Sequence, residues 1–290
     1  MTPTVTVIIP VFNQARFVRQ AVDSALAQTR VPIELIVIND GSTDETATEL
    51  ASYESEPRVR VIAQENRGVA AARNAGAALA QGELLAFLDA DDIWLPEKLA
   101  RQVERFVREP EVGLIHTGVL EVDEAGETLS VRMDGLEGDV ALDLLLFQRP
   151  VILGGGSGML IPATIFAELG GFDERLSTSA DWDLFFRVAA NHRVGFVPEI
   201  MLHYRIHGAN MHGNIPAMRH DMLLGFAKAF EKADDELKRR RRFCYGRLHL
   251  VLAGSFLTVG QRGECWKHIM KALWYHPANL LDLFRRFRRD

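Results

Sequence analysis

Apolar positions in the first part of this chain come in short unbroken runs, separated by stretches with helical spacing. Residues 4–10 are a run rich in β-branched side chains that ends at Pro10-Val11-Phe12-Asn13, the pattern of a strand buried on both faces and opening into a loop. Phe17, Val18, Ala21, Val22, Ala25 and Leu26 then fall on one face of a helix. Residues 33–38 form a second buried strand, broken by Asn39-Asp40-Gly41-Ser42, and Ser42 or Thr43 is suited to cap a helix led by Asp44 and Glu45. The cycle repeats with strands at 59–63 and 84–88, an alanine-rich helix at 68–80 and a helix at 96–108. Strands and helices alternating at this interval predict an α/β layer structure around a mainly parallel sheet.

The polar clusters fall just after the strands, where open α/β sheets bind their ligands. Phe87-Leu88-Asp89-Ala90-Asp91-Asp92 carries an apolar strand directly into three carboxylates. Asp89 and Asp91 alternate, so in an extended segment they point the same way, suited to a cation that prefers oxygen ligands, Mg²⁺ or Mn²⁺. Acidic residues ahead of the helix that Pro96 opens are equally explained by the helix dipole. The same alternative holds for Asp181 and Asp183, which follow the capping residue Ser179.

Regular alternation ends after a strand at 112–122. Residues 123–150 read as a weakly patterned acidic excursion, followed by Gly154-Gly155-Gly156-Ser157-Gly158, an apolar segment at 159–162, a helix at 163–169 and a returning strand at 194–197. From about residue 216 the spacing is helical, over 222–237, 243–259 and 263–275, with a last short helix after Pro277. The stretch from His249 to Pro277 looks like one tetratricopeptide-type helical hairpin, and a single copy defines no repeat.

At 290 residues, with 48% hydrophobic and 25% charged, the composition is that of a globular protein with a sizeable core. Cys244 and Cys265 match neither a disulfide framework nor a metal-ligand spacing. No apolar run approaches the roughly 20 residues that cross a bilayer and no signal-like segment opens the chain, which predicts a cytoplasmic protein. The net charge of −6 is unevenly spread, for residues 219–290 hold twice as many Lys and Arg as Asp and Glu. Lys238-Arg239-Arg240-Arg241-Arg242 and Arg285-Arg286-Phe287-Arg288-Arg289 suit peripheral contact with the anionic inner face of a membrane, or equally a solvated helix face. The acidic remainder argues against nucleic acid.

Taken in order, Val7-Ile8-Ile9-Pro10-Val11-Phe12-Asn13, Ile38-Asn39-Asp40-Gly41-Ser42-Thr43-Asp44, Asn66-Arg67-Gly68, Ala72-Arg73-Asn74-Ala75-Gly76, Leu88-Asp89-Ala90-Asp91-Asp92, Gly170-Gly171-Phe172-Asp173-Glu174 and Asp181-Trp182-Asp183-Leu184 resemble the family 2 inverting glycosyltransferases of the GT-A fold, over about residues 4–210. The resemblance implies a GT-A catalytic domain at 1–215, with a nucleotide-binding half at 1–110 and an acceptor half at 111–215, and a C-terminal helical subdomain at 216–290. It implies transfer of a sugar from a nucleoside diphosphate donor, UDP-sugar by family habit, to the hydroxyl of a glycan or lipid-linked acceptor, assisted by Mn²⁺ or Mg²⁺.

By the same resemblance Pro10, Phe12, Asn13 and Asp40 hold the base and ribose. A uracil ring N–H suits a carboxylate such as Asp40, and Phe12 offers a face for stacking. Arg73 and Asn74 fall near the diphosphate or ribose, and Asp89 and Asp91 match the family's DxD motif, with Asp91 the more direct metal ligand. Asp181 matches the catalytic base. A carboxylate's reference pKa of about 4 leaves it deprotonated at neutral pH, ready as the acceptor hydroxyl attacks. The family often carries Glu before this Asp where this chain has Ala180, which bears on acceptor contacts. Arg205 and His207, in Tyr204-Arg205-Ile206-His207-Gly208-Ala209-Asn210-Met211-His212, match a basic segment placed to close over the diphosphate. Gly156, Ser157 and Trp182 are the candidate acceptor or donor-sugar contacts.

A sugar-phosphate nucleotidyltransferase or a dinucleotide oxidoreductase would need a glycine-rich loop after the first strand, where this chain has Pro10-Val11-Phe12-Asn13. A processive synthase would need membrane spans and usually a Q-x-x-R-W motif, and neither is present. A catalytically silent nucleotide-sugar-binding or scaffold subunit remains the alternative to an enzyme.

Overall fold

The computed structural model describes residues 4–208 and 213–278, which separate into two compact units. Of the described residues, 4–140 and 150–208 make the first and 141–149 and 213–278 the second.

Among the described residues the first unit is built on a sheet of nine strands, eight of them in the order β3-β2-β1-β4-β8-β6-β9-β5 and the ninth, β7, paired to β6. Its leading half is parallel. Strands β1 (Val5–Val11), β2 (Ile33–Asp40), β3 (Val59–Gln64) and β4 (Leu84–Phe87) run the same way, as their apolar runs predict. Every residue of β1 and β4 is buried. Pairing of β1 with β4 ends at Ile8↔Phe87 while pairing with β2 runs on to Val11↔Asn39, so Pro10, which has no N–H, sits where β4 has already left.

Helices α1 (Val18–Leu26), α2 (Thr46–Ala51), α3 (Val69–Ala78) and α4 (Lys98–Arg108) connect these strands and those that follow. Helix α3 packs unusually close to the sheet. Its buried face is Ala70, Ala71, Ala72 and Gly76, and a Cβ at Gly76 would stand 2.5 Å from the Ile8 side chain. The alanine-rich sequence is thus the cause of the close approach that brings Arg73 to the sheet edge.

The second half of the sheet is mixed. Strands β5 (Ile93–Trp94), β6 (Val112–Val122), β7 (Thr128–Arg132) and β8 (Leu160–Pro162) precede β9 (Arg193–Arg205), whose 13 residues far exceed the returning strand expected at 194–197. Strand β9 runs parallel to β6, which steadies it along its length, and antiparallel to β5. The excursion after residue 122 is structured, for β7 forms a hairpin with β6. Helix α6 (Gly155–Gly158) is a single turn before β8, and α7 (Ala163–Glu168) and α8 (Ala180–Ala189) follow.

The second unit contains α5 (Ala141–Leu146), α9 (Ile215–Glu231), α10 (Asp235–Thr258) and α11 (Arg262–Tyr275). The helical pattern read across 222–237 is two helices, because the Asp234 side chain accepts from Leu237 N at 2.8 Å and starts α10 afresh. Phe256, Cys265 and Ile269 join Ile215 and Ala253 in the core, and Cys244 is also buried. The short helix expected after Pro277 lies outside the described residues.

His249 and His268 meet in this core, with their Nδ1 atoms 2.9 Å apart. That contact needs one imidazole to donate and the other to accept, so the two rings are not both protonated. Burial pushes each pKa down to about 4, helped by the His268 charge on His249 and by Lys271 on both. The unfolded chain takes up these protons near pH 6.5 and the folded chain only near 4. Stability is therefore complete above about pH 6.5 and falls through that window, by at most about 1.4 kcal/mol per pH unit for each imidazole. Urea midpoints for the second unit's helices should drop between pH 7 and 4.5, and His268→Phe should lessen the drop; equal slopes for both proteins would contradict this.

Candidate active site

The loops after β1, β2 and β3 are knitted together. Asn13, with φ +52°, donates its backbone N–H to Ser42 Oγ at 3.0 Å and accepts from Thr43 N at 2.8 Å through Oδ1. Asp44 accepts from Ala15 N and Thr46 N, bonds that outweigh its burial and hold its carboxyl below the usual range. Ser42 and Thr43, candidate helix caps by sequence, are thus taken up by Asn13, and Asp44 starts α2. Asp40 is 3% exposed and accepts from Gln64 Nε2 at 2.7 Å, Arg67 N at 2.9 Å and Gly68 N at 2.9 Å. It thereby anchors the start of α3, with one of about four lone-pair positions left. Phe12 stands beside it, one residue beyond the Val11↔Asn39 register, and is 46% exposed. Pro10 is buried in β1.

Past β4, Asp89, Asp91 and Asp92 each meet a different partner. Asp89 pairs with Arg73 Nη2 at 2.5 Å. Asp91 Oδ2 lies 2.9 Å from His207 Nε2. Asp92 is 1% exposed; its Oδ1 accepts from Arg205 N at 2.9 Å and its Oδ2 meets Ser157 Oγ at 2.6 Å. Burial, with Asp91 and Asp89 beside it, pushes the Asp92 pKa well up. Asp91 is raised as well, by burial and by Asp89, against the opposing effect of His207.

Asp181, half-buried in the first turn of α8, closes the other side. Its Oδ1 accepts from Trp182 N at 2.8 Å, and its Oδ2 is 3.0 Å from where a Cβ on Gly155 would stand. One residue on, a Cβ on Gly156 would be 2.7 Å from Arg73 Nη2. Gly155 and Gly156 therefore let the turn sit directly against Asp181 and against Arg73, where side chains would crowd both. Burial works against the Arg73 charge, but Asp89 and Asp181 overcome it and raise its pKa. Its Nε is buried with no hydrogen-bond partner among the described residues. Tyr204 lies within the field of all four carboxylates; burial, then Asp92, Asp89, Asp181 and Asp91, drive its pKa up and keep the phenol neutral.

Several residues singled out by sequence serve the frame. Ser157 is 0% exposed, with its hydroxyl shared between Asp92 and Asp89 N (3.0 Å) and its carbonyl accepting from Trp94 Nε1 at 2.9 Å. Gly156 is buried and makes room for Arg73. The Asn74 amide exchanges two 2.9 Å hydrogen bonds with the Phe172 backbone, which fixes the Gly170-Gly171-Phe172 turn. Asp183 accepts from Arg187 Nε at 2.8 Å, and Arg187 in turn donates to Leu169 O and Gly171 O. Arg205 spends its guanidinium on Asp91 O, Glu124 O and Gln20 Oε1, 2.8–3.0 Å away, and lies over the Phe17 ring. The Trp182 ring stacks on Phe186. Ala209, Asn210, Met211 and His212 lie outside the described residues.

No three His, Cys, Asp or Glu side chains among the described residues form a metal-holding group on their own. Asp91 and His207 nevertheless suit a shared cation. Their 2.9 Å separation is about that of adjacent donors in an octahedron with bonds near 2.1 Å. An imidazole beside a carboxylate suits Mn²⁺ better than the harder Mg²⁺.

A family model, glycosyl transferase family 2, matches residues 6–149, and a second, glycosyl transferase family group 2, matches residues 84–282. An uncharacterized glycosyltransferase of Rickettsia prowazekii is 34% identical over 238 residues, taking in 80% of this chain and 74% of that protein. Other curated relatives are longer, and the chain spans about a third of them. Among solved structures, the mannosyltransferase PcManGT of Pyrobaculum calidifontis, in complex with GDP-Man and Mn²⁺, superposes with a TM-score of 0.67 at 20% identity, over 100% of this chain and 83% of that one. S. aureus TarS 1-349 in complex with UDP gives 0.59 at 15% identity, over 95% and 92%. With the GT-A fold of these neighbours and the match in sequence, the chain belongs to glycosyltransferase family 2.

Proposed function

We propose that this glycosyltransferase moves a sugar from a nucleoside diphosphate donor, UDP-sugar first, to an acceptor hydroxyl with inversion, and that the acceptor is a growing cell-surface glycan on a lipid carrier. The observation that carries the chemistry is that the Gly155-Gly156 turn meets Asp181 at one residue and Arg73, the partner of Asp89, at the next. A base and a cationic leaving-group site meeting the same short turn suit a single displacement.

Phe12 stacks on the base, and the remaining lone pair of Asp40 accepts its ring N–H. Asp89 takes the ribose hydroxyls, held in place by Arg73. The Arg73 guanidinium, with its Nε still unpaired, lends positive charge to the departing diphosphate. Asp91 and His207 would hold Mn²⁺ or Mg²⁺, which would supply positive charge to the departing diphosphate. Asp181 takes the proton of the acceptor hydroxyl as the hydroxyl oxygen bonds to the anomeric carbon and the bond from that carbon to the diphosphate oxygen breaks, releasing the nucleoside diphosphate. Arg205, Ser157 and Asp92 act as positioning residues that fix the Asp89–Asp91 loop, and Trp182 borders the acceptor side. The relatives support nucleotide-sugar chemistry in general: one neighbour carries GDP-Man with Mn²⁺ and another UDP.

A donor screen by thermal shift with Mn²⁺, followed by transfer or hydrolysis assays, identifies the sugar. Asp181→Asn should then lower turnover by about 10²–10⁴-fold while donor affinity stays within a few fold. Tight UDP binding without turnover on any donor or acceptor would favour a silent binding subunit instead. Ser157→Ala should cost about 1–3 kcal/mol by stranding Asp92 and the Asp89 N–H, seen as a lower urea midpoint at constant slope. A midpoint unchanged from wild type would remove Ser157 from the frame.

A further inference from the structure

Helix α11 divides its residues between two faces of opposite character. Cys265, His268, Ile269 and Ala272 are buried, with Cys265 and Ile269 in a core shared with α10. The other face carries Trp266, Met270 and Trp274, which are 64%, 62% and 70% exposed. Spaced four residues apart, they form one continuous apolar stripe along more than two turns of helix. Single exposed apolar residues are ordinary, but a stripe with two indoles in line is a surface built for a partner.

The charges around the stripe say what that partner is. Lys267 and Lys271 flank it on one side and Arg262 on the other. Arg242 of α10 donates to the Trp274 and Tyr275 carbonyls and lies 5.7 Å from the Trp274 ring. Glu264, the one acidic residue of α11, is already paired with Lys267 and Arg219. A second copy of this face would set cations against cations. An anionic lipid surface answers both features, with headgroup phosphates for the basic flanks and the interfacial layer for the indoles, which prefer that depth. No helix among the described residues is long and apolar enough to cross a membrane, so the contact is with a surface.

We propose that the face of α11 formed by Trp266, Met270 and Trp274 docks on an anionic bilayer, with the helix lying in the interfacial plane. The basic run Arg285-Arg286-Phe287-Arg288-Arg289, in which sequence alone sought this contact, lies outside the described residues, and the docking face stands without it. It also stands independently of which donor and acceptor the catalytic site takes.

The full chain is mixed with vesicles of phosphatidylcholine, with or without phosphatidylglycerol, and its partition and tryptophan emission are followed. The expected result is binding to the anionic vesicles with a blue shift, weakened when salt rises from about 0.1 M to about 1 M and the Debye length falls from about 10 Å to about 3 Å. Trp266→Ser, Met270→Ser and Trp274→Ser together should lower partition by about tenfold or more at unchanged circular dichroism, and Lys267→Glu with Lys271→Glu should remove the salt-sensitive part. Should the triple variant fail to fold, quenching of wild-type tryptophan by lipids brominated in the acyl chain decides, and no quenching overturns the proposal. Absent binding, binding indifferent to lipid charge and salt, or equal binding by a folded triple variant overturns it too. So does a dimer that the triple substitution dissolves while vesicles stay unbound, since a second copy would then be what covers the face.

Discussion

Like charge gathered on one sheet edge is the constraint around which the first unit is arranged. Asp89, Asp91 and Asp92 leave β4 within four residues of one another, and Asp181 adds a fourth carboxylate within reach of Arg73 and Tyr204. Two unit charges about 6 Å apart repel by about 3 kcal/mol at an effective dielectric near 20, so several such pairs would cost a large share of a domain's stability. Each carboxylate is answered locally: Asp89 by Arg73, Asp91 by His207, and Asp92 by the Ser157 hydroxyl and the Arg205 N–H. The balance is incomplete, as the raised Asp91 and Asp92 carboxyls and the suppressed ionisation of Tyr204 indicate. In the proposed donor complex this surplus of negative charge is what attracts the cation.

The turn at Gly155–Gly158 is held from below as firmly as from the site. Gln102 donates to Ile115 O at 2.8 Å and Gly158 O at 3.0 Å, and its own oxygen accepts from Lys98 Nζ at 2.9 Å. Lys98 is 0% exposed and lies 4.1 Å from the centre of the Trp94 ring, whose Nε1 holds Ser157 O. Burial pushes the Lys98 pKa well down, so the core carries a polar chain running from α4 to the carboxylate loop. Such a chain fixes one arrangement, because each member left unpaired would cost its full desolvation. Arg205 does the same from β9, with a guanidinium bonded to three separate segments.

Sequence made the parallel half legible because its signals are local. Apolar runs at β1, β2 and β4 and the alanines of α3 each have one physical reading, and the polar clusters after them mark the ligand edge. The long β9 does not show in the sequence because Pro198 and Glu199 interrupt its apolar pattern, and pairing with β6 shifts register there, from Thr117↔Val197 to Gly118↔Ile200, before running on. The close approach of Asp181 and Arg73 to the same turn depends on Gly155 and Gly156 lacking side chains, which a glycine-rich string suggests without saying what it makes room for. The inward duty of Ser157, Asn74 and Arg205 was not readable, since a polar residue in a loop carries the same sequence signal whether it faces a ligand or another loop. Asp92 was visible as the third carboxylate, and only its burial shows that it belongs to the frame.

Isothermal titration of UDP into the wild-type protein, with and without Mn²⁺, tests most directly whether this charged edge is a site for a nucleoside diphosphate and its cation. UDP binding strengthened by about tenfold or more in the presence of Mn²⁺, and lost with EDTA, is the predicted result. Affinity for UDP and GDP that is absent, or indifferent to the metal, would contradict it.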